Sequence, residues 1–236
     1  MIAKMNSALL SLSEKYAFPM GEIRAGDFFH QLRFADGSSV SLLPWRVERR
    51  FTELRKIIDS GTLEDISTFR FASFKADKDL RMLLASELDL LAFLSGSSVT
   101  TLFATGDGVR VCNVIVRLAN GMSACLECGT LLPSGSAPMD RHEVIARRGV
   151  ASDRVVDTQV PQSSIYLFRE EGVSTFTDVD NELFGLPDES IWLVRAAAAL
   201  LANPALREVW GEQSERSLLL ADSALGCCHS NVPVKL

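Results

Sequence analysis

The apolar positions change period several times along the chain, and each change marks an element. Between residues 6 and 16, Leu9, Leu10 and Leu12 read as a short helix that Pro19 ends. From 22 to 43 the period is closer to two. Residues 28–34, a turn at Ala35-Asp36-Gly37-Ser38 and residues 39–43 predict a hairpin closed by Pro44. Residues 45–60 return to helical spacing, with Val47, Phe51, Leu54, Ile57 and Ile58 on one face and Gly61 as the cap. Residues 66–74 alternate as a strand. The strongest pattern runs from 80 to 96, where Leu80, Leu84, Leu88 and Leu91 follow the spacing of a buried helical face. Met82, Ser86, Asp89 and Phe93 make a second stripe on that helix, and Gly96 is its expected left-handed cap.

A strand-rich block follows, with candidates at 99–105, 109–118, 121–130, 142–147, 155–160, 164–169 and 173–177. Asp107-Gly108 and Asn120-Gly121 are hairpin turns, and such short connections imply antiparallel neighbours. Residues 130–140, with Pro133, Gly135 and Pro138, read as a loop. Two helices close the chain, 189–202 and 205–228. The order of elements predicts an α+β fold, an open, mostly antiparallel sheet with helices packed on one face. Residues 1–44 read as a helix and hairpin extension, and 45–236 as one compact α+β unit. Within 109–116 both parities are apolar, so the second face of the sheet is either buried or carries an exposed apolar patch of the sort that marks an interface. The expectation is a homodimer formed through that face.

Composition narrows the picture. The 236 residues are 47% hydrophobic and 23% charged, with net charge −6 from 24 basic and 30 acidic side chains. No strongly basic run is present, which argues against nucleic acid as a partner. The densest positive cluster, Arg46, Arg49 and Arg50, is diluted by Glu48 and Glu53 and reads as a solvated helix start. No apolar stretch reaches membrane-span length, and the first residues lack the apolar core and cleavage site of a signal peptide. Five cysteines without small-scaffold spacing point to a reducing compartment, with the cytoplasm as the expected location.

Several blocks resemble one family. Leu54-Arg55-Lys56-Ile57-Ile58-Asp59-Ser60-Gly61-Thr62-Leu63-Glu64-Asp65-Ile66 resembles "L-K-x-L-I-x-S-G-x-L-G-x-I", which opens the C-terminal domain of the Gfo/Idh/MocA oxidoreductases, relatives of glucose–fructose oxidoreductase and inositol dehydrogenase. Leu88-Asp89-Leu90-Leu91-Ala92-Phe93-Leu94-Ser95-Gly96 is similar to the family's "L-D-L-L-x-W-L-x-G". Asn120-Gly121 followed by Leu126-Glu127 resembles its "N-G-x-x-G-x-L-E", and Leu220 to Ala224 with the terminal Val232-Pro233-Val234-Lys235-Leu236 is similar to its last helix and closing "V-x-L". The resemblance runs from Trp45 to the end. It implies a mainly antiparallel sheet with helices on one face and dimerisation through the other.

Two parts of the family pattern are missing. The family's nucleotide-binding half needs a Gly-rich turn that seats a pyrophosphate on a helix N-terminus. The residues before Trp45 hold no G-x-G-x-x-G, and Glu14-Lys15 is followed by Tyr16 where the family's "E-K-P" has proline. No cofactor site is therefore expected in this chain; NAD(P) would bind only if a partner supplied a Rossmann domain. Family members also carry "D-x-x-x-H-x-x-D" on the helix at 80–96, its Asp and His serving proton transfer. With Asp89 matched to the final Asp, those positions hold Met82 and Ser86. A serine hydroxyl does not titrate near neutral pH and a thioether has no proton to give. No catalytic residue is expected. The ligand-cleft candidates are Trp45, Arg46, Ser86 and Asp89.

The remaining constellations have plainer readings. Cys125 and Cys128 form a C-x-x-C on a strand, where positions three apart face opposite ways, so a zinc site completed by Cys227, Cys228 and His229 is disfavoured against buried cysteines. Asp178, Asp180 and Glu182 lack the closing Glu of a calcium loop, and His30 and His142 read as isolated structural histidines on strands. No metal is expected. Two functions follow. One is a catalytically degenerate, homodimeric domain that holds a small polar or sugar-like ligand or acts as a scaffold. The other is the substrate-binding component of a split oxidoreductase acting on a sugar or cyclitol, with a separate nucleotide-binding subunit.

Overall fold

The computed structural model describes residues 1–147, 149–153, 165–169, 172–176 and 184–236, the third and fourth of these segments by their backbone alone. In chain order the elements begin with α1 (Ile2–Tyr16), β1 (Gly21–Arg24), β2 (Gln31–Phe34), β3 (Ser39–Ser41), a 3-10 turn (Pro44–Arg46) and α2 (Arg49–Asp59). Then come β4 (Ile66–Phe74), α3 (Leu80–Ser95), β5 (Val99–Gly106), β6 (Val111–Leu118), β7 (Ser123–Gly129), β8 (Met139–Ala146) and β9 (Gly149–Ser152). The chain continues with β10 (Ile165–Arg169), β11 (Gly172–Phe176), α4 (Asp188–Ala202), α5 (Leu206–Ser230) and β12 (Val234–Lys235). The α+β class expected from the sequence is the class observed. The strand expected at 155–160 and the acidic loop at 178–182 lie outside the described residues.

Contacts divide the chain into two compact units, Met1–Pro44 with Val155–Arg207 and Trp45–Arg154 with Glu208–Leu236. In the first, β1, β2 and β3 form a small antiparallel sheet. The expected hairpin is present as β2 and β3, its turn carrying Gly37 at φ +84. β1 is an added strand, too short to alternate visibly, with only Ile23 buried. Asn6 on α1 holds it: its amide donates to the Ile23 carbonyl at 3.0 Å and its oxygen accepts the Ile23 N–H at 2.7 Å. α4 packs against α1.

The second unit is built on a seven-stranded sheet in the order β12-β5-β6-β7-β4-β8-β9. All its pairs are antiparallel except β4 with β7. That parallel pair arises because the chain leaves β4 through α3, runs the β5–β6 hairpin, and returns to lie beside β4, a crossover that local turn signals do not encode. α3 packs on β4 and β7. Its first turn is capped by Asp79, whose carboxylate accepts the Met82 N–H at 2.9 Å, and Gly96 ends it at φ +62. Leu80, Leu84, Leu88 and Leu91 are all buried.

Alternation along the strands gives the sheet two different faces. Phe69 and Phe71 of β4, Leu102 of β5, Cys112, Val114 and Val116 of β6, Leu126 of β7 and Val144 of β8 are buried on the inner face. Of the two readings of 109–116, the exposed one applies: on the opposite face Ile115 is 60% exposed. Register places it in a row with Phe103, Cys125 and Arg70, and Arg70 stands opposite Glu143. Leu88→Ala should cost about 2–5 kcal/mol of unfolding free energy, because it opens a cavity between α3 and its neighbours. Removing the cap with Asp79→Ala should cost only about 1 kcal/mol. Urea denaturation of both variants checks the order, and equal losses would contradict the packing described for α3.

Candidate functional site

Three of the four ligand-cleft candidates meet at one carboxylate. Asp89 is buried on α3, and Trp45 and Arg46 arrive from the 3-10 turn before α2. Trp45 Nε1 donates to Asp89 Oδ2 at 2.7 Å, Arg46 Nε donates to the same oxygen at 2.7 Å, and Arg46 Nη2 donates to Oδ1 at 2.7 Å. A bidentate guanidinium–carboxylate pair with a third donor leaves the carboxylate little capacity for a ligand. Arg46 also lies 5.4 Å from the centre of the Phe93 ring. Ser86 does not join them. Its Oγ donates back along the helix to the Leu83 carbonyl at 2.8 Å, and it does not line the cleft beside Asp89. Met82, the other family position, is half-buried on the same stripe.

That cleft encloses about 570 Å³ between α2, α3, α5 and the turn after Gly96. Arg55 crosses one side, donating to Asp59 at 2.8 Å and to the Phe93 carbonyl at 2.6 Å, so it caps the end of α3. Phe93, Ala92, Val99 and Leu220 give the cleft apolar wall. Arg216 and Gln213, one helical turn apart on α5, line it together with Ser98. Among the described residues, no hydrogen bond or ion pair engages these three side chains. The donors left for a ligand are therefore on α5 and the turn after α3, which sequence reasoning did not single out.

A second buried cluster lies on the other side of α3. His142 of β8 sits between two carboxylates, with Nδ1 2.6 Å from Asp153 and Nε2 3.0 Å from Glu87 of α3. Asp153 also accepts the His142 backbone N–H at 2.8 Å. The edges of the Phe51 and Phe71 rings close around the imidazole, at centroid distances of 4.8 and 4.9 Å. Arg50 completes the cluster through Asp153 at 3.0 Å and through Glu48. Burial by itself would push the His142 pKa down. The charge of Glu87 and the hydrogen bonds that the ring donates to both carboxylates outweigh it and raise the value to about 9, so the ring is an imidazolium at neutral pH. Burial pushes Glu87 and Asp153 up, but the facing imidazolium holds both below their ordinary values. Glu48 goes the other way: burial raises it and Arg50 offsets only part of that.

These contacts correct two expectations. Arg46 and Arg50 are not part of a solvated helix start; each is spent on buried carboxylates, and only Arg49 of the three is exposed. Their partners, Asp89 and Asp153, lie 43 and 103 residues away, beyond any local charge pattern. His30 precedes β2 rather than lying on a strand, and its carbonyl accepts the Leu42 N–H at 2.7 Å. His142 is hydrogen-bonded, as expected, but belongs to a charged network and is not isolated. Cys125 and Cys128 face opposite sides of β7, Cys128 buried, and all five cysteines are free thiols. Among the described residues, no group of three or more His, Cys, Asp and Glu is placed to hold a metal, and no helix is long and apolar enough to cross a membrane.

No family model and no curated protein matches the sequence. Among solved structures, a probable dehydrogenase from Thermotoga maritima matches with TM-score 0.60 and 18% identity, covering 82% of this chain and 63% of its own. Myo-inositol 2-dehydrogenase from Lactobacillus plantarum matches with TM-score 0.59 and 14% identity, at the same coverage of 82% and 63%. Scyllo-inositol dehydrogenase from Lactobacillus casei, solved with NAD(H) and scyllo-inositol, matches with TM-score 0.57 and 17% identity, again covering 82% and 63%. Over most of its length the chain has the fold of these dehydrogenases. It spans about 63% of the length of each. The resemblance read from the sequence blocks between Trp45 and Leu236 thus holds for the fold.

The ionised cluster makes a pH-dependent contribution to stability with a definite sign. The His142 pKa is raised from 6.5 to about 9, so its contribution is full below pH 6.5 and is lost as pH rises through about 9. Glu87 and Asp153 are lowered, so theirs is present above the ordinary carboxylate range and is lost as pH falls through their depressed values. His142→Leu should cost about 3–5 kcal/mol at pH 6 by stranding Glu87 and Asp153, and should flatten the decline between pH 6.5 and 9. Denaturant unfolding of wild type and variant across that range checks both. A wild-type protein whose stability rises through the interval would contradict the charge state assigned to His142.

Proposed function

We propose that this chain is a catalytically degenerate relative of the dehydrogenase domains it resembles, a homodimeric protein that holds a small anionic or polar ligand rather than transforming one. The observation that carries the reading is the pair Met82 and Ser86, at the positions where the resemblance places an acid–base pair. One is a thioether and the other donates its hydroxyl to its own helix, at 2.8 Å from the Leu83 carbonyl. Neither takes or gives a proton near neutral pH. The only buried histidine near α3 is held as an imidazolium by two carboxylates, which makes it a poor base at neutral pH.

The cleft supports the ligand-holding part of the reading. Its size falls in the usual range for small-molecule sites, with apolar walls and a few convergent polar groups. Asp89 and Asp59 are already engaged by Arg46 and Arg55, so Arg216 carries the uncompensated charge and a carboxylate or phosphate group is the natural counterpart. The outer sheet face supports the dimer: Ile115 of β6 is 60% exposed there, in a row with Phe103, Cys125 and Arg70. A reducing, cytoplasmic setting fits the five free thiols.

A thermal-shift titration with NAD(H), NADP(H), citrate, gluconate and glucose tests the reading. A ligand that binds only the folded state raises stability by about 2.7 kcal/mol at a hundredfold excess over Kd. Citrate or gluconate should raise the melting temperature, Arg216→Ala should remove that rise, and dinucleotides should leave it unchanged. A clear dinucleotide shift would overturn the degenerate reading and favour an oxidoreductase component. By sedimentation, the wild type should run as a dimer and Ile115→Arg as a monomer; a wild-type monomer would overturn the dimer proposed for the outer face.

A further inference from the structure

Four of the five cysteines gather on the inner face of the sheet and the end of α5, and two of them touch. Cys112 Sγ on β6 lies 3.3 Å from Cys228 Sγ near the end of α5. Cys112 is buried, and Cys228 is half-buried. A disulfide needs its sulfurs at about 2.05 Å, and at 3.3 Å these two thiols are already in contact. The nearby thiols are placed differently. Cys227 is tied to backbone, its sulfur 3.1 Å from the Ala104 N–H and 3.1 Å from the Val232 carbonyl. Cys128 stands opposite Cys112 in the β6–β7 ladder and is buried, and Cys125 is on the outer face.

We propose that Cys112 and Cys228 form an oxidation site, closing a reversible disulfide that ties the C-terminal end of α5 to β6. The oxidant is a peroxide. Cys228, the more accessible thiol, attacks as its thiolate; the peroxide O–O bond breaks, leaving a sulfenic acid on Cys228 and releasing hydroxide, which takes up the proton that the thiol gave to solvent. The Cys112 sulfur then displaces hydroxide from the sulfenic sulfur, and its own proton converts that hydroxide to water. In sum, two thiols and one hydrogen peroxide give one disulfide and two waters, each sulfur oxidised by one electron and the peroxide oxygens reduced. Burial pushes the Cys112 thiol up, with the Cys228 sulfur beside it adding to the shift, which suits Cys112 as the resolving partner rather than the first nucleophile. The bond would join residues 116 apart in sequence, and in a reducing compartment such a link is transient.

The test treats the full chain with hydrogen peroxide, quenches free thiols with an alkylating agent, and maps peptides without reduction. The expected result is loss of two hydrogens from the intact mass and a single Cys112–Cys228 crosslink, reversed by dithiothreitol. Cys228→Ser and Cys112→Ser should each abolish the crosslink, whereas Cys125→Ser should leave it unchanged. A link between other cysteines, a link between chains, oxygen addition at Cys228 without a link, or no change in mass would each overturn the proposal. Circular dichroism of the serine variants before oxidation separates loss of the link from loss of the fold.

Discussion

The second unit depends on how α3 is held to the sheet, and the decisive contacts are charged. Its leucine stripe is buried, but apolar burial has no direction. Glu87 and Asp89 provide direction from opposite sides of the helix. Glu87 meets the His142 imidazolium of β8, and Asp89 takes three donors from Trp45 and Arg46. A buried carboxylate is tolerable only when paired and hydrogen-bonded, so each of these fixes the rotation of α3 as well as its place. Arg81, reaching Asp222 of α5 at 2.5 and 2.8 Å, ties the start of the same helix.

This mode of attachment bears on function. The polar stripe that the dehydrogenase resemblance reads as proton-transfer machinery is used here for holding. Asp89 is consumed by Arg46, Ser86 by its own helix, and the one imidazole in reach of α3 is locked in its charged form between Glu87 and Asp153. What stays open is a cleft on the far flank of the helix, where Arg216, Gln213 and Ser98 have no partners among the described residues. These two features are what the proposed ligand-holding role rests on.

Much of the fold was legible because it is written in periodicity. The bounds of β4 and α3, the Gly96 cap and the β5–β6–β7 hairpins follow from local spacing and turn chemistry. The parallel β4–β7 pair was not legible, since a crossover is a relation between distant segments, and β1 was not, since four residues are too few to show a period. In the site, Trp45, Arg46 and Asp89 were singled out and do converge, while Ser86 points back into its helix. The His142 network was missed as a network: its members Arg50, Glu87, His142 and Asp153 are scattered over more than a hundred positions. An apparently solvated arginine run and a lone histidine were the only local traces.

Histidine ring titration by NMR reads the charge that holds α3 to β8, because the chain has only three histidines and His142 is the buried one. The His142 resonances should report an imidazolium through neutral pH and shift with a midpoint of about 9, and the midpoint should move down in Glu87→Gln. A midpoint at or below the ordinary 6.5 would mean a neutral ring and would contradict the charged attachment of α3.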